Sequence, residues 1–238
     1  DEVDSTNRWM LDNHDRFTIS GGVVVADHQT AGRGRQDRTW LDQAGKSLLF
    51  SIVLRQFGGE SNLALLSFLP AIALGEYLEE SCGNELYVKL KWPNDVLLNG
   101  RKMSGVLGHT SGSGSSRVIV LGMGINVDGR ANELPDTVGL QASTIEAESG
   151  RTIQKEVLLA ELLNRMEPLY DDVLSNDIET VCARWLRLGP PLGTPITRNE
   201  GTFVTTGAFA GLGERGELLL RDESGQVQVL LSGDIEHR

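Results

Sequence analysis

The sequence has few cysteines and no long apolar run, and both absences limit what the protein can be. Its 238 residues include two cysteines, Cys82 and Cys182, which lie far apart without the spacing of metal ligands. This usage predicts reduced thiols in a cytoplasmic protein and argues against a zinc site. No apolar run reaches the roughly 18 residues of a transmembrane helix, so we expect no membrane span. No signal peptide is visible, but the chain begins without methionine, which leaves open whether a native N-terminal segment is missing.

Basic residues are outnumbered by acidic ones. The chain carries 22 Lys and Arg against 33 Asp and Glu, a net charge of −11. Proteins that bind nucleic acid generally present a basic surface to the phosphates, so this balance argues against a general nucleic-acid binder. It leaves room for a small, local anion site. Glycine, with 28 residues, exceeds its usual share of about 7% and predicts many turns or close backbone approaches.

Three arginines gather in HQTAGRGRQDRTW, residues 28–40, which we term the arginine loop. Glycine alternates with Arg33 and Arg35, and Arg38 follows. The glycines allow the backbone to approach a ligand, while guanidinium groups pair bidentately with carboxylate or phosphate oxygens. From the residues alone, two interpretations are open: an anion-binding loop, or a solvated basic loop held by surface ion pairs.

Hydrophobic periodicity predicts a mixture of helices and strands. The predicted helices are one capped by Ser5 or Thr6, one over 63–82 that contains Pro70, one over 155–174 and one over 177–188. The predicted strands are a buried one at 21–28, one at 47–55, three runs between 86 and 111, and one at 117–126 after a hairpin tip at 111–116. Asn99-Gly100 predicts a type I′ turn that places Lys102 just beyond it.

The hydrophobic periodicity changes from helical to alternating after residue 188. Short alternating strands follow, with turns at 199–201, 211–216 and 223–225. This spacing is typical of a small β-barrel. We therefore predict a first domain of residues 1–188 and a second of residues 189–238.

Five motifs occur in an order that resembles a known family. Together with the C-terminal GELLLRDESGQVQVLLSGDIEHR, they resemble biotin protein ligases of the monofunctional type, without an N-terminal DNA-binding domain. The resemblance spans essentially the whole chain. It implies an α+β fold shared with lipoate ligases and class II aminoacyl-tRNA synthetases, a mixed sheet with helices followed by an SH3-like β-barrel. The motifs are DSTN (4–7), QTAGRGRQDRTW (29–40), KWPND (91–95), RKMSGVL (101–107) and GMGIN (122–126).

The resemblance implies an ATP-dependent ligase with two half-reactions. Biotin, the substrate, attacks the α-phosphate of Mg²⁺-bound ATP to give biotinyl-5′-AMP and pyrophosphate. A lysine of a biotin carboxyl carrier protein or domain then attacks the mixed anhydride, and AMP leaves. The charges of the sequence fit this chemistry, because two anions must be brought together and preorganised positive charge is the usual means.

The same resemblance implies contacts to the biotin head. The matching residues are Ser5, Thr6, Asn7, Gln29 and Gly105. Ser5 or Thr6 also fits a plain helix N-cap, and the two interpretations are compatible.

Within the arginine loop, the resemblance implies a segment that closes over biotin and the adenylate. Arg35 and Arg38 would face phosphate. Trp40 resembles an aromatic residue that packs on adenine, and a core tryptophan is the alternative. We expect the loop to be mobile without an anion, because its charges repel one another. The residues that match the closing segment are Gly32, Arg33, Gly34 and Arg35.

Charged and polar residues of the later motifs complete the predicted site. Lys102 matches a lysine that bridges the biotin carboxylate and the α-phosphate, and is our first choice for catalysis. Lys91 is a second candidate, because a lysine among apolar residues needs a partner unless its stem snorkels. Asn94 and Asp95 match the polar pair of KWPND, and Asp95 fits either a Mg²⁺ ligand or a group that orients the acceptor amine.

Four further positions match the family. Gly122 and Gly124 correspond to glycines that let the nucleotide approach, and Asn126 to an adenine contact. Arg238 aligns with a C-terminal arginine that reaches back to the active site.

Two positions depart from the family pattern. Asp37 stands where the family usually has glycine, so we expect slower loop closure or weaker retention of the adenylate. Ser104 stands where alanine is commoner, and we expect no consequence.

Three alternatives are weighed against this prediction. A lipoate or related acyl-acid ligase shares the fold, although the arginine loop and KWPND favour biotin. A biotin-responsive DNA-binding repressor carries a further domain ahead of the catalytic core; since the core begins at residue 4 here, this alternative holds only if an N-terminal domain has been lost. A non-catalytic binding module would be expected to lack a charged site residue, and none is lacking. The sequence leaves the choice between a monomer and a sheet-edge homodimer open.

Overall fold

The computed structural model describes residues 1–55, 63–83, 86–113, 117–130, 134, 141–200 and 203–237. Its helices are α1 (Thr6–Asn13), α2 (Leu63–Cys82), α3 (Ile145–Ser149), α4 (Lys155–Leu174) and α5 (Ile178–Leu188), with a 3-10 turn at His14–Arg16. Its strands are β1 (Glu2–Val3), β2 (Gly22–Ala26), β3 (His28–Gln29), β4 (Ser47–Leu54), β5 (Val88–Lys91), β6 (Asp95–Leu98), β7 (Arg101–Ser111), β8 (Val118–Asn126), β9 (Pro195–Glu200), β10 (Phe203–Leu212), β11 (Leu218–Arg221), β12 (Val227–Leu230) and β13 (Asp234–His237). Within these ranges, no helix combines the length and apolar character needed to cross a membrane.

A six-stranded antiparallel sheet, in the order β2-β4-β8-β7-β6-β5, organises the first part of the chain. Strand β4 is buried along its whole length, because alternate side chains enter cores on opposite faces of the sheet. Phe50 joins the large core on the α2 side, while Val53 packs with Met10 of α1 on the other side. The prediction of a buried strand at 21–28 is wrong in one respect. Strand β2 lies at the sheet edge, and Val25 is 46% exposed.

Helix α2 confirms the helix predicted over 63–82, and it contains Pro70. It is buried on nearly all sides because the sheet covers one face and α4 and α5 cover another. Arg165 of α4 and Arg184 of α5 form ion pairs with Glu80 and Glu76 of α2. The two other predicted helices, over 155–174 and 177–188, are confirmed as α4 and α5.

The β6–β7 hairpin is the local feature that positions the predicted catalytic lysine. Asn99 has φ of 52° and Gly100 has φ of 78°, so both turn residues are left-handed, as a type I′ turn requires. Lys102 therefore lies on β7 just past the turn, as predicted. Residues 114–116 of the predicted β7–β8 hairpin tip lie outside the described residues, as does residue 201 of the predicted 199–201 turn.

The C-terminal strands form a five-stranded antiparallel sheet in the order β12-β11-β10-β9-β13. It is joined to the first part of the chain by aromatic packing, since Trp185 of α5 lies 6.4 Å from Phe209 and 5.3 Å from Phe68 between ring centroids. Trp92 Nε1 also donates to Gly216 O at 3.0 Å. The α+β class is confirmed, while barrel closure and a domain boundary at residue 189 stay predictions.

Candidate active site

Two adjoining cavities lie between the arginine loop, the central sheet and the C-terminal sheet. The larger one has a volume of about 330 Å³ and the smaller one about 30 Å³. The predicted site residues that line the larger cavity are Arg33, Gly34, Arg35, Arg38, Trp40, Asn94, Asp95, Lys102, Gly105 and Asn126. Those that line the smaller cavity are Ser5, Thr6, Asn7, Gln29, Arg33, Trp40, Gly105, Gly122 and Gly124. Residues from all five motifs are therefore brought together, as the sequence predicts.

The smaller cavity is built on the N-terminus of α1. Ser5 caps this helix by accepting from Arg8 N at 3.5 Å, and it also lines the cavity, so both interpretations of this residue hold. The amide and hydroxyl of Thr6 both donate to Gln29 Oε1, at 2.8 and 3.1 Å. Ser51 in turn donates to Thr6 Oγ1 at 2.9 Å. These bonds fix the polar groups that face the cavity.

Asn7 is held on both sides of its amide. Its Nδ2 donates to Leu107 O at 2.9 Å, and its Oδ1 lies 3.1 Å from His109 Nδ1. Burial lowers the pKa of His109 and so favours its neutral form. A side chain at Gly122 would place Cβ only 2.6 Å from Asn7 Nδ2. Glycine is therefore required there for Asn7 to occupy its position.

A His28–Asp42 pair lies behind Gln29 and was not predicted from the sequence. The Asp42 side chain is buried, and its carboxylate accepts from His28 Nδ1 at 2.8 Å and from Gln29 N at 3.3 Å. The bond to Asp42 raises the pKa of His28, and burial partly opposes this effect. Strand β3 is thus anchored by a contact that is strengthened when His28 is protonated.

We expect the contribution of this pair to stability to depend on pH. Because the pKa of His28 is raised by folding, its stabilising effect is complete below the unfolded value of about 6.5 and is lost as pH rises through the folded value. His28→Gln should therefore lower the Tm more at about pH 5.5 than at about pH 8.5. Thermal unfolding of both proteins across this range is the measurement, and a Tm difference that does not change with pH would contradict it.

Trp40 separates the two cavities. A Cβ atom at Gly124 would lie 2.4 Å from Trp40 Cε2, and one at Gly105 would lie 3.4 Å from Trp40 Cζ3, so the indole rests on these two glycines. The residue is partly exposed, and its buried Nε1 has no hydrogen-bond partner among the described residues. This position at the cavity argues against the alternative of a core tryptophan. Its contact with adenine stays a prediction.

Lys102 and Asp95 form an ion pair inside the larger cavity. Their Nζ and Oδ1 atoms lie 2.7 Å apart, and the side chains are only 17% and 15% exposed. The pair forms because β6 and β7 are neighbouring strands of the sheet. Asp95 is a carboxylate in the cavity, yet the described ranges contain no group of three or more His, Cys, Asp or Glu side chains that could hold a metal.

The C-terminal sheet contributes Asp234, which sequence reasoning missed. This residue forms an ion pair with Arg38 and lies 4.0 Å from Arg35 Nη1. Arg35 also donates to Asn94 Oδ1 at 3.2 Å and to Gly233 O at 3.5 Å. Burial lowers the pKa of Arg35, and the charge of Asp234 opposes this. Two of the three loop arginines, Arg35 and Arg38, thus approach the same carboxylate in the larger cavity.

Three predicted residues are not among the lining residues of these two cavities. The first is Gly32, whose carbonyl accepts from Trp40 N at 3.0 Å. Lys91 lies on the edge strand β5 and lines a separate cavity of about 490 Å³, together with Glu236. Burial lowers the pKa of Lys91, and Asp95 opposes this effect. Lys91 is therefore not a lining residue of the cavity that contains Lys102, and its catalytic role stays a prediction. Arg238 lies outside the described residues.

The two positions that depart from the family pattern have different surroundings. Asp37 is exposed and adopts φ of 57°, a left-handed conformation that favours glycine. Ser104 is buried and donates to Gly124 O at 2.7 Å, so its hydroxyl is satisfied. The backbone at position 37 thus explains why glycine suits this position.

Two family models match most of the chain. Residues 1–126 match the Biotin/lipoate A/B protein ligase family, and residues 192–238 match the Biotin protein ligase C terminal domain. A biotin--[acetyl-CoA-carboxylase] ligase of Paracoccus denitrificans is 35% identical over 227 residues, 91% of each chain. The bifunctional ligase/repressor BirA of Bacillus subtilis is 30% identical over 239 residues, 99% of this chain and 72% of its own.

Solved structures agree with these matches. Biotin protein ligase from Aquifex aeolicus in complex with biotin and ATP has a TM-score of 0.81 and 32% identity, and the match covers 100% of this chain and 96% of that one. The resemblance inferred from the five motifs is therefore confirmed. The chain belongs to the biotin/lipoate A/B protein ligase family.

Proposed function

We propose that this protein is a biotin–[biotin carboxyl-carrier protein] ligase that activates biotin with ATP. The observation that carries the proposal is the pair of adjoining cavities. The smaller one presents the neutral polar groups of Ser5, Thr6, Asn7 and Gln29, which suit a ureido ring, and the larger one presents Lys102 and three arginines suited to anions. Relatives named biotin--[acetyl-CoA-carboxylase] ligase and a homologous structure with biotin and ATP support it.

In the first half-reaction, a biotin carboxylate oxygen attacks the α-phosphorus of ATP. The new O–P bond forms as the bond from the α-phosphorus to the bridging oxygen of pyrophosphate breaks. Lys102 would lie between carboxylate and α-phosphate, exchanging its contact with Asp95 for the two anions. Arg35 and Arg38 would exchange their contacts with Asp234 for contacts with the phosphates, whose charge they would neutralise. Asn126 Oδ1, buried and without a partner among the described residues, is an acceptor suited to the adenine amino group.

In the second half-reaction, the ε-amine of the acceptor lysine attacks the acyl carbon of biotinyl-5′-AMP. An amide bond forms, the bond to the AMP oxygen breaks, and the amine loses a proton. Asp95 would be free to orient this amine once Lys102 contacts the adenylate. Asp95 also fits a Mg²⁺ site completed by phosphate oxygens, since Mg²⁺ is commonly bound by one or two carboxylates and substrate phosphates. Bound there, Mg²⁺ would offset phosphate charge.

The acceptor we propose is the biotin carboxyl carrier protein or domain of a biotin-dependent carboxylase, as in the relatives named for acetyl-CoA carboxylase. Both cysteines are free thiols, which supports a cytoplasmic location. We further propose a catalytic domain of residues 1–188, an SH3-like domain of residues 189–238, and no nucleic-acid partner.

The test of the function is pyrophosphate exchange into ATP with Mg²⁺, run with biotin, with lipoate and with neither. Exchange with biotin alone is expected. Exchange with lipoate would instead indicate a lipoate ligase. The match to the biotin protein ligase C-terminal domain argues against this alternative. Exchange without any acid would contradict both.

The left-handed backbone at Asp37 leads to a prediction about adenylate release. Asp37→Gly should relieve up to about 1 kcal/mol of strain in the folded loop and slow biotinyl-5′-AMP release by about two- to fivefold. Release is measured by dilution of the preformed complex. Asp37→Asn is the control, because asparagine tolerates the same φ but carries no charge. Equal release from all three proteins would show that position 37 does not govern retention.

A further inference from the structure

We infer that Glu148, on the short helix α3, is a positioning residue for Lys102. The inference rests on the proposed function, because it concerns the lysine assigned there to the carboxylate and the α-phosphate. Glu148 belongs to none of the five motifs and lines neither cavity. It acts through the backbone that carries Lys102.

The Glu148 carboxylate joins two segments of the chain. Its Oε1 accepts from Ser143 Oγ at 2.7 Å and lies 3.4 Å from Arg101 Nη1, while its Oε2 accepts from Asn99 Nδ2 at 3.1 Å. Asn99 and Arg101 belong to the β6–β7 hairpin. Ser143 belongs to the segment before α3. The Glu148 side chain is only 12% exposed, so water competes little for these bonds.

Lys102 belongs to the β6–β7 hairpin, and its backbone is hydrogen-bonded to the other segment that Glu148 contacts, residues 141–143. Lys102 N donates to Gln141 O at 2.9 Å, and Ser143 N donates to Lys102 O at 3.0 Å. Ser143 O further accepts from Asn126 Nδ2 at 3.2 Å. One carboxylate therefore fixes the register between the hairpin and the 141–143 segment, and through it the position of Lys102.

A positioning role predicts a specific kinetic signature. A misplacement of about 1 Å can lower the rate about 100-fold when the reacting groups must be aligned. The side-chain contacts assigned to the biotin head, from Ser5 to Asn7 and from Gln29, lie at the N-terminus of α1 and on β3, apart from the segments that Glu148 joins. Only the backbone contact assigned to Gly105 lies on β7. Loss of Glu148 should therefore lower kcat while leaving the KM for biotin nearly unchanged.

The test is Glu148→Gln in biotin-dependent pyrophosphate exchange. The amide keeps one acceptor oxygen and turns the other into a donor, so at least one of the three donors loses its partner. We expect kcat to fall about tenfold or more, with the KM for biotin within about twofold of the wild-type value. Glu146→Gln is the matched control. Glu146 lies on the same helix and accepts from Gly129 N at 2.9 Å, and its variant should keep kcat within about twofold.

A second variant keeps the inference testable if Glu148→Gln folds poorly. Ser143→Ala removes one donor, so it should lower kcat by a smaller factor, and the double variant should be no slower than Glu148→Gln. Rates are normalised to active sites by the biotinyl-5′-AMP burst. Unchanged kcat per active site in both variants, with only a lowered Tm, would overturn the inference. Absence of biotin-dependent exchange in the wild type would overturn the proposed function instead.

Discussion

Lys102→Gln should reduce biotin-dependent pyrophosphate exchange by about 30- to 1,000-fold. This range corresponds to the loss of about 2–4 kcal/mol of transition-state stabilisation when a preorganised contact to developing charge is removed. The Lys102 side chain is 17% exposed, so few water molecules are available to replace its ammonium group. Glutamine retains a donor for Asp95, which limits the loss of stability that an unpaired buried carboxylate would cause.

The matched control for this prediction is Lys89→Gln. Lys89 lies on β5, with its ammonium 4.7 Å from the centre of the Tyr87 ring, and it does not line the 330 Å³ cavity. Its variant should retain exchange within about twofold. If Lys102→Gln exchanges as fast as Lys89→Gln at equal Tm, the assignment of Lys102 to the reacting anions is wrong.

The parts of the fold that the sequence predicts are those determined by local chemistry. Helices α2, α4 and α5 follow from apolar periodicity, and the β6–β7 hairpin follows from one Asn-Gly dipeptide. Helix α3 and the paired strands β1 and β3 were not predicted. Five or fewer residues are too few to show a period, and β1 and β3 exist only because they pair with each other. The edge position of β2 likewise depends on which strands become neighbours.

The candidate site shows the same division. The motifs correctly predict that Thr6, Gln29 and Lys102 line adjoining cavities, because the residue types and spacing of a short motif indicate a binding site. Asp42 and Asp234 were missed for different reasons. The burial of the Asp42 side chain cannot be read from the sequence, and Asp234 is remote in sequence from its partner Arg38. Lys91, whose catalytic role stays a prediction, lines neither of these cavities. Its cross-strand partner Asp95 lines the site, but Lys91 itself stands one strand further out, against a different cavity.

Arg35→Ala should lower kcat/KM for ATP by about 100-fold, whereas Arg38→Ala should lower it by about tenfold or less. The difference follows from burial. Arg35 is 23% exposed, burial lowers its pKa, and Asp234 stands 4.0 Å away, so its charge is incompletely compensated until a phosphate arrives. Arg38 is 43% exposed and already has a close ion pair with Asp234.

The comparison is informative because both arginines approach the same carboxylate. Exchange rates at varied ATP and at varied biotin would separate the phosphate contact from the biotin site, and the KM for biotin should stay within about twofold in both variants. Asp234→Asn provides the opposite perturbation, since it removes the internal anion that ATP must displace. Asp234→Asn should lower the KM for ATP if Asp234 occupies the arginines until phosphate binds. A larger loss for Arg38→Ala than for Arg35→Ala would mean that the exposed edge of the loop, and not its buried arginine, binds the polyphosphate.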